Sequence, residues 1–172
     1  MVFVLDTSMS MKGQKIESLK QTMSDTLERM PEHMAFNVVN FGGTVHVMRP
    51  SALIDARHRA TADDSIRYME LSWGTRTFDA LEEATRLPGM DTIVYLSDAA
   101  PVAGAFEAWD RIVGVFDLYN RYRPVAIDCI LYGKGKRGRK RKGRAGGMAR
   151  LAEHNVGVLS IADQAGQVQR QP

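Results

Sequence analysis

Apolar residues follow two alternating rhythms along this chain. Short continuous runs, rich in β-branched residues and bounded by turn residues, fall at 2–5, 35–41, 92–96, 125–131 and 156–161. Runs of this kind mark strands that are buried on both faces. Between them the spacing changes to steps of three and four. Ile16, Leu19, Met23, Leu27 and Met30 define one apolar helix face, and Phe106, Trp109, Ile112, Val113, Phe116 and Tyr119 define another. Shorter helices fit 61–71, 78–87 and 147–154. Strands alternating with helices predict an α/β fold, a doubly wound and mostly parallel sheet with helices on both faces. Gly42-Gly43 separates 35–41 from 44–48 as a tight turn would, which predicts a hairpin and one antiparallel edge strand.

The length of 172 residues suits one domain, expected over 1–162, followed by a glutamine-rich, apolar-poor tail at 163–172 that is expected to fray. No apolar run approaches the roughly 20 residues of a membrane-spanning helix. Met1 leads directly into the first strand without a basic leader, so no signal peptide is expected, and the abrupt start reads as a domain of a larger protein. Cys129 is the sole cysteine, which excludes an internal disulfide and a cysteine-based zinc site. A reducing, cytoplasmic location is the expectation.

Ligands of open α/β sheets bind beyond the carboxyl ends of the strands. Here the first strand ends in Asp6-Thr7-Ser8-Met9-Ser10, and the run at 92–96 leads into Ser97-Asp98. Gly74-Thr75-Arg76-Thr77 precedes the helix near Phe78. Two carboxylates and several hydroxyls therefore converge on one edge, with no histidine or cysteine among them. Such an all-oxygen set suits a hard divalent cation, Mg²⁺ or Mn²⁺. Taken alone, Asp6 and its two serines read equally well as caps of the first helix.

The three segments together resemble the metal-ion-dependent adhesion site of von Willebrand factor A domains, also called integrin inserted-type domains. That site combines D-x-S-x-S after the first strand, a threonine of a middle loop and an aspartate after the fourth strand. This sequence has Asp6-x-Ser8-x-Ser10, Thr75 within W-G-T, and Asp98 within L-S-D. Phe36-Asn37-Val38-Val39-Asn40-Phe41, Asp79-Ala80-Leu81 and Leu151-Ala152-Glu153 extend the similarity over 2–162. The resemblance implies a Rossmann-like fold, with Asp6, Ser8, Ser10, Thr75 and Asp98 as ligands of Mg²⁺ or Mn²⁺. It also implies a protein partner that presents an Asp or Glu carboxylate to the ion. Two positions depart from the family pattern: Met9 stands where glycine is usual between the serines, and Ala99 where glycine is usual after the aspartate. Three neighbours are second candidates. Met9 would shape the partner's contact. Thr77 would replace Thr75 as ligand or cap the next helix, for about 1 kcal/mol. Trp73 would contact a partner from the rim or, as the favoured expectation, pack under its loop.

Two other function classes compete. Asp6-Thr7-Ser8 faintly resembles the Mg²⁺-dependent aspartyl-phosphate phosphatases of the haloacid dehalogenase type. Ser8, however, occupies the place of their second aspartate, and no nucleophile–base pair is in view, so no enzyme is expected. The second class follows from charge. The net charge is +3, yet Lys134, Lys136, Arg137, Arg139, Lys140, Arg141, Lys142 and Arg144 fall within 134–144 without one acid. Removing those eight from the 23 basic residues leaves 15 against 20 acidic ones, so the rest of the chain is mildly acidic. This stretch would give salt-dependent, weak contact with nucleic acid or an acidic surface. It has no interleaved aromatic for base stacking, and glycine-interrupted basic runs read first as solvated, flexible loops.

Overall fold

The strand β1 (Val2–Asp6) is buried at all five positions, so it requires cover on both faces. The computed structural model, which describes residues 1–98, 100–132, 139–162 and 168–170, supplies that cover. After β1 the order is α1 (Gln14–Arg29), β2 (Ala35–Phe41), β3 (Val45–Val47), β4 (Ile54–Asp55), α2 (Arg59–Arg67) and α3 (Thr77–Arg86). Then follow β5 (Thr92–Ser97), α4 (Trp109–Tyr122), β6 (Ala126–Tyr132), α5 (Arg139–His154), β7 (Leu159–Ala162) and β8 (Val168–Arg170). The sheet order is β3-β2-β1-β5-β6-β7-β8, with β4 also paired to β2. The central strands β2, β1, β5, β6 and β7 are parallel.

Alternation within β1 divides the core. Val2 and Val4 join Val39, Phe41, Tyr95 and Cys129 under the face covered by α3, α4 and α5. Phe3 and Leu5 join Phe36, Val38 and Leu96 on the face covered by α1 and α2. The predicted helix face of α1 is the buried one: Ile16, Leu19, Met23 and Leu27 are all inside. Each such side chain stabilises the fold by about 1.5–3 kcal/mol. Among the described residues no helix is long and apolar enough to cross a membrane.

The expected antiparallel edge is β3, which pairs with β2 through the Gly42-Gly43 turn. The opposite edge differs from expectation. Val168–Arg170, within the segment read as a frayed tail, forms β8 and pairs antiparallel with β7. The basic stretch is also corrected in part: α5 begins at Arg139, not near Gly147, so the backbone carrying Arg139, Lys140, Arg141, Lys142 and Arg144 is helical rather than a loop. Arginine and lysine are good helix formers, so a helix can run through them without an apolar period. Lys134, Lys136 and Arg137 lie outside the described residues. Strand β7 starts at Leu159 because Val156 takes a positive φ of 56° and Gly157 presses on Ile127, where a Cβ would stand 2.0 Å from the carbonyl oxygen.

Register places the site. Leu5 pairs with Leu96 in neighbouring parallel strands, so Asp6 comes beside Ser97 and Asp98 follows at the same edge.

Candidate metal site

Four loops meet at that edge, and backbone hydrogen bonds fix their order. Thr7 donates its N–H and its hydroxyl to the Phe41 carbonyl, at 2.7 and 3.1 Å. Ser72 N–H donates to Thr7 O at 2.9 Å, and Met9 N–H to Ser72 O at 3.0 Å. The segment before Thr75 is thus laced to the Asp6 loop. The Gly42-Gly43 turn lies against the same segment so closely that a Cβ on either glycine would come 2.2 Å from an oxygen of Ser72 or Trp73. Arg76 then ties the turn to α3, with Nε donating to Gly43 O at 2.8 Å and Nη1 to Asp79 Oδ2 at 2.9 Å. Asp79 Oδ1 accepts Ala105 N–H at 2.9 Å, and Val102 N–H donates to Thr75 O at 3.3 Å, which joins the loop after β5.

The candidate side chains lie on this scaffold. Asp6 is fully buried; its Oδ1 accepts the Ser8 N–H at 2.8 Å, and its Oδ2 accepts the Ser97 hydroxyl. Ser10 Oγ donates to Asp98 Oδ1 at 2.6 Å. Ser8 Oγ and Ser10 Oγ lie 2.9 Å apart. Ser8, Ser10 and Asp98, up to 90 residues apart in the chain, therefore form one hydrogen-bonded run. Thr75 is buried on the laced loop.

Burial pushes the Asp6 carboxyl up to about 6; hydrogen bonds from Ser8 and Ser97 oppose the rise, and the charge of Asp98 adds to it. A buried acid lifted in this way gains from a nearby positive charge. Ser97 donates to Asp6 from the end of β5, and behind it Thr77 Oγ1 lies 3.0 Å from the Tyr95 phenol. Burial raises the Tyr95 phenol, which keeps it a donor.

The second candidates separate clearly. Thr77 is buried and bonded to Tyr95, so it neither meets a partner nor caps α3, whose N-cap position is Arg76. Trp73 is 81% exposed, which overturns its expected packing under the loop. Its neighbour Gly74 has φ +105°, a left-handed conformation that swings the chain from Trp73 into Thr75. Met9 is half-buried at the rim, whereas Met11 is a core residue. Cys129 is buried, with its thiol pushed up by burial, and takes no part.

Lys15, which no motif in the sequence marks, also reaches the site. Its Nζ ion-pairs with Asp98 Oδ2 and donates to Ser10 O at 2.8 Å. The available signal was a cation in the first turn of a helix, where the dipole disfavours it. Ser97 supports Asp6 but reads in sequence only as a strand residue.

Among the described residues no three His, Cys, Asp or Glu side chains gather in a metal-holding group. The donor set is instead two carboxylates with hydroxyls, all oxygen, and its buried acid is lifted by burial. That chemistry fits a hard divalent cation.

The fold and this edge define a class: an α/β domain that gathers carboxylate and hydroxyl oxygens at the ends of β1 and β5. The von Willebrand factor type A domain profile matches residues 1–100, and the chain belongs to that family. Human inter-alpha-trypsin inhibitor heavy chain H6 is 31% identical over a stretch covering 60% of this chain and 9% of that protein. Among solved structures, a von Willebrand factor type A protein from Catenulispora acidiphila superimposes with a TM-score of 0.75 at 18% identity, covering 93% of this chain and 37% of that one. Proximal thread matrix protein 1 of the mussel byssus, in a form whose metal-ion-dependent adhesion motif is occupied by zinc, gives 0.68 at 18% identity, covering 95% and 40%. This chain thus spans less than half the length of each of these relatives.

Proposed function

We propose that this domain binds a protein partner through a divalent cation, Mg²⁺ or Mn²⁺, held by Asp6, Ser8, Ser10, Thr75 and Asp98. The guest is an Asp or Glu carboxylate of the partner. The observation that carries this reading is the hydrogen-bonded run Ser8–Ser10–Asp98 beside the buried Asp6. The two carboxylates balance a doubly charged ion, and the serines and threonine add oxygens without adding charge. The bound cation supplies Lewis acidity toward an anionic oxygen. The Ser97 hydroxyl and the Ser8 N–H, one on each carboxylate oxygen, orient Asp6. Trp73 and Met9 offer apolar contact at the rim. The zinc-occupied motif of the mussel protein supports an ion at this place in the fold.

The role proposed is binding: Ser8 and Ser10 face each other and Asp98, as neutral oxygen donors to a shared ion would. The basic stretch adds contact with an acidic surface of the partner. Leu131 pairs with Ser97, so β6 ends at the edge where Asp98 lies, and α5 returns from that edge.

Proton relaxation of acetate in the presence of Mn²⁺ tests the proposal. Acetate is the carboxylate probe, and it should relax faster with the wild-type protein than with free Mn²⁺. The gain should disappear in Asp98→Ala. Equal relaxation with both proteins would remove the metal-bridged reading.

A further inference from the structure

Helix α1 begins with a cation in an electrostatically poor place. Lys15 is the second residue of the helix, where unpaired N–H groups make the surroundings positive and acidic side chains are favoured. Gly13, at φ +85°, makes the bend by which α1 follows the Asp6 loop. The Lys15 ammonium is then held by Asp98 Oδ2 and by the backbone oxygen of Ser10. The Asp98 side chain is 2% exposed and that of Lys15 27%, so the pair is partly desolvated and partly open to exchange with solvent. The ammonium rests on two of the five residues proposed to hold the divalent ion.

We propose that Lys15 sets the charge of the site: it competes with the divalent ion for Asp98 and biases the loaded site toward an acidic guest. This rests on the reading of Asp6, Ser8, Ser10, Thr75 and Asp98 as the cation site. Two carboxylates and a doubly charged ion alone would be neutral. With Lys15 beside them the loaded site carries one net positive charge, which draws a carboxylate and disfavours a neutral or cationic guest. The same charge repels the incoming ion and occupies the Asp98 oxygen that the ion needs. Lys15 thus weakens ion binding while strengthening the selection of the guest.

Calorimetric titration with Mn²⁺ or Mg²⁺ alone, on the full chain, tests this directly. Wild type, Lys15→Met and Lys15→Arg are compared, with circular dichroism to verify that each is folded. Lys15→Met should bind Mn²⁺ about tenfold more tightly than wild type, the scale of one full charge at a partly hydrated distance of a few ångströms. Lys15→Arg keeps the charge and should stay near the wild-type affinity. Equal or weaker binding by Lys15→Met would overturn the proposal and leave Lys15 as a prop for Asp98. An arginine variant as tight as the methionine variant would overturn it too, since charge would then not be the cause. If wild type fails to bind and Lys15→Met binds, competition is supported in its strongest form. If none of the three binds at millimolar Mn²⁺, the cation site itself is wrong and this inference falls with it. Binding by wild type with no change in Lys15→Met rejects the lysine's role alone.

Discussion

A carboxylate with no exposure at the end of a central strand is costly unless something answers its charge, and Asp6 is such a group. Its folded-state value of about 6 lies above the ordinary unfolded value near 4, so the folded protein holds this proton more tightly. Without metal, stability is therefore full below about pH 4 and falls as pH rises through about 6. Asp6→Asn removes the ionisation; in chelator at pH 8 it should unfold with a free energy up to about 3 kcal/mol higher than wild type. Denaturant unfolding from pH 4 to 8 checks this, and a parallel decline in both proteins would contradict it. Divalent ions act in the opposite direction, because they bind the ionised form, so their affinity should fall as pH drops below about 6. Asp6, Ser8, Ser10 and Asp98 were legible in sequence because each follows a recognisable strand end, and the structure gathers them at one edge. Lys15 and the bond from Ser97 to Asp6 were not, because a side chain's direction across the fold leaves no trace in spacing.

At the scale of elements, close backbone contacts decide what the loops can do. Gly43 and Gly157 are each pressed on a carbonyl oxygen, that of Trp73 and that of Ile127, and a Cβ would lie 2.2 and 2.0 Å away. Alanine at either place should destabilise the fold by about 1–3 kcal/mol, as overpacking does. Their effects on the site should differ. Gly43→Ala displaces the segment that leads to Thr75 and should weaken Mn²⁺ binding, whereas Gly157→Ala strains the opposite end of β6 and should leave it unchanged. Mn²⁺ titration of both variants separates the outcomes; equal losses would mean that the Thr75 loop is not held as described. The elements themselves were readable wherever an apolar rhythm existed, as in β1, β2, α1 and α4. Strand β7 begins later than its apolar run because Val156 is forced into a left-handed turn. Helix α5 begins earlier than its apolar pattern because its first turns carry basic residues and glycine, which show no hydrophobic period. Strand β8 was missed because three residues, Val168–Arg170, contain a single apolar position.

Over the whole molecule, charge is divided between an acidic body and one basic stretch, and the topology brings the helical part of that stretch back from the edge bearing Asp98. Replacing Lys140, Arg141 and Lys142 with serine should weaken low-salt binding to a polyanion and flatten its dependence on salt. Mn²⁺ affinity should be unchanged, and a change in it would show that the stretch acts on the cation site instead. The folded protein is expected to hold a divalent ion at Asp6. The most direct measurement is thermal unfolding in Mn²⁺ and in chelator, for wild type and Asp6→Ala. An ion at a hundredfold excess over its dissociation constant stabilises the fold by about 2.7 kcal/mol, or roughly 5–10 °C in Tm for a chain of this size. Wild type should show that rise and Asp6→Ala should not; a wild-type Tm that is the same in Mn²⁺ and in chelator contradicts the account.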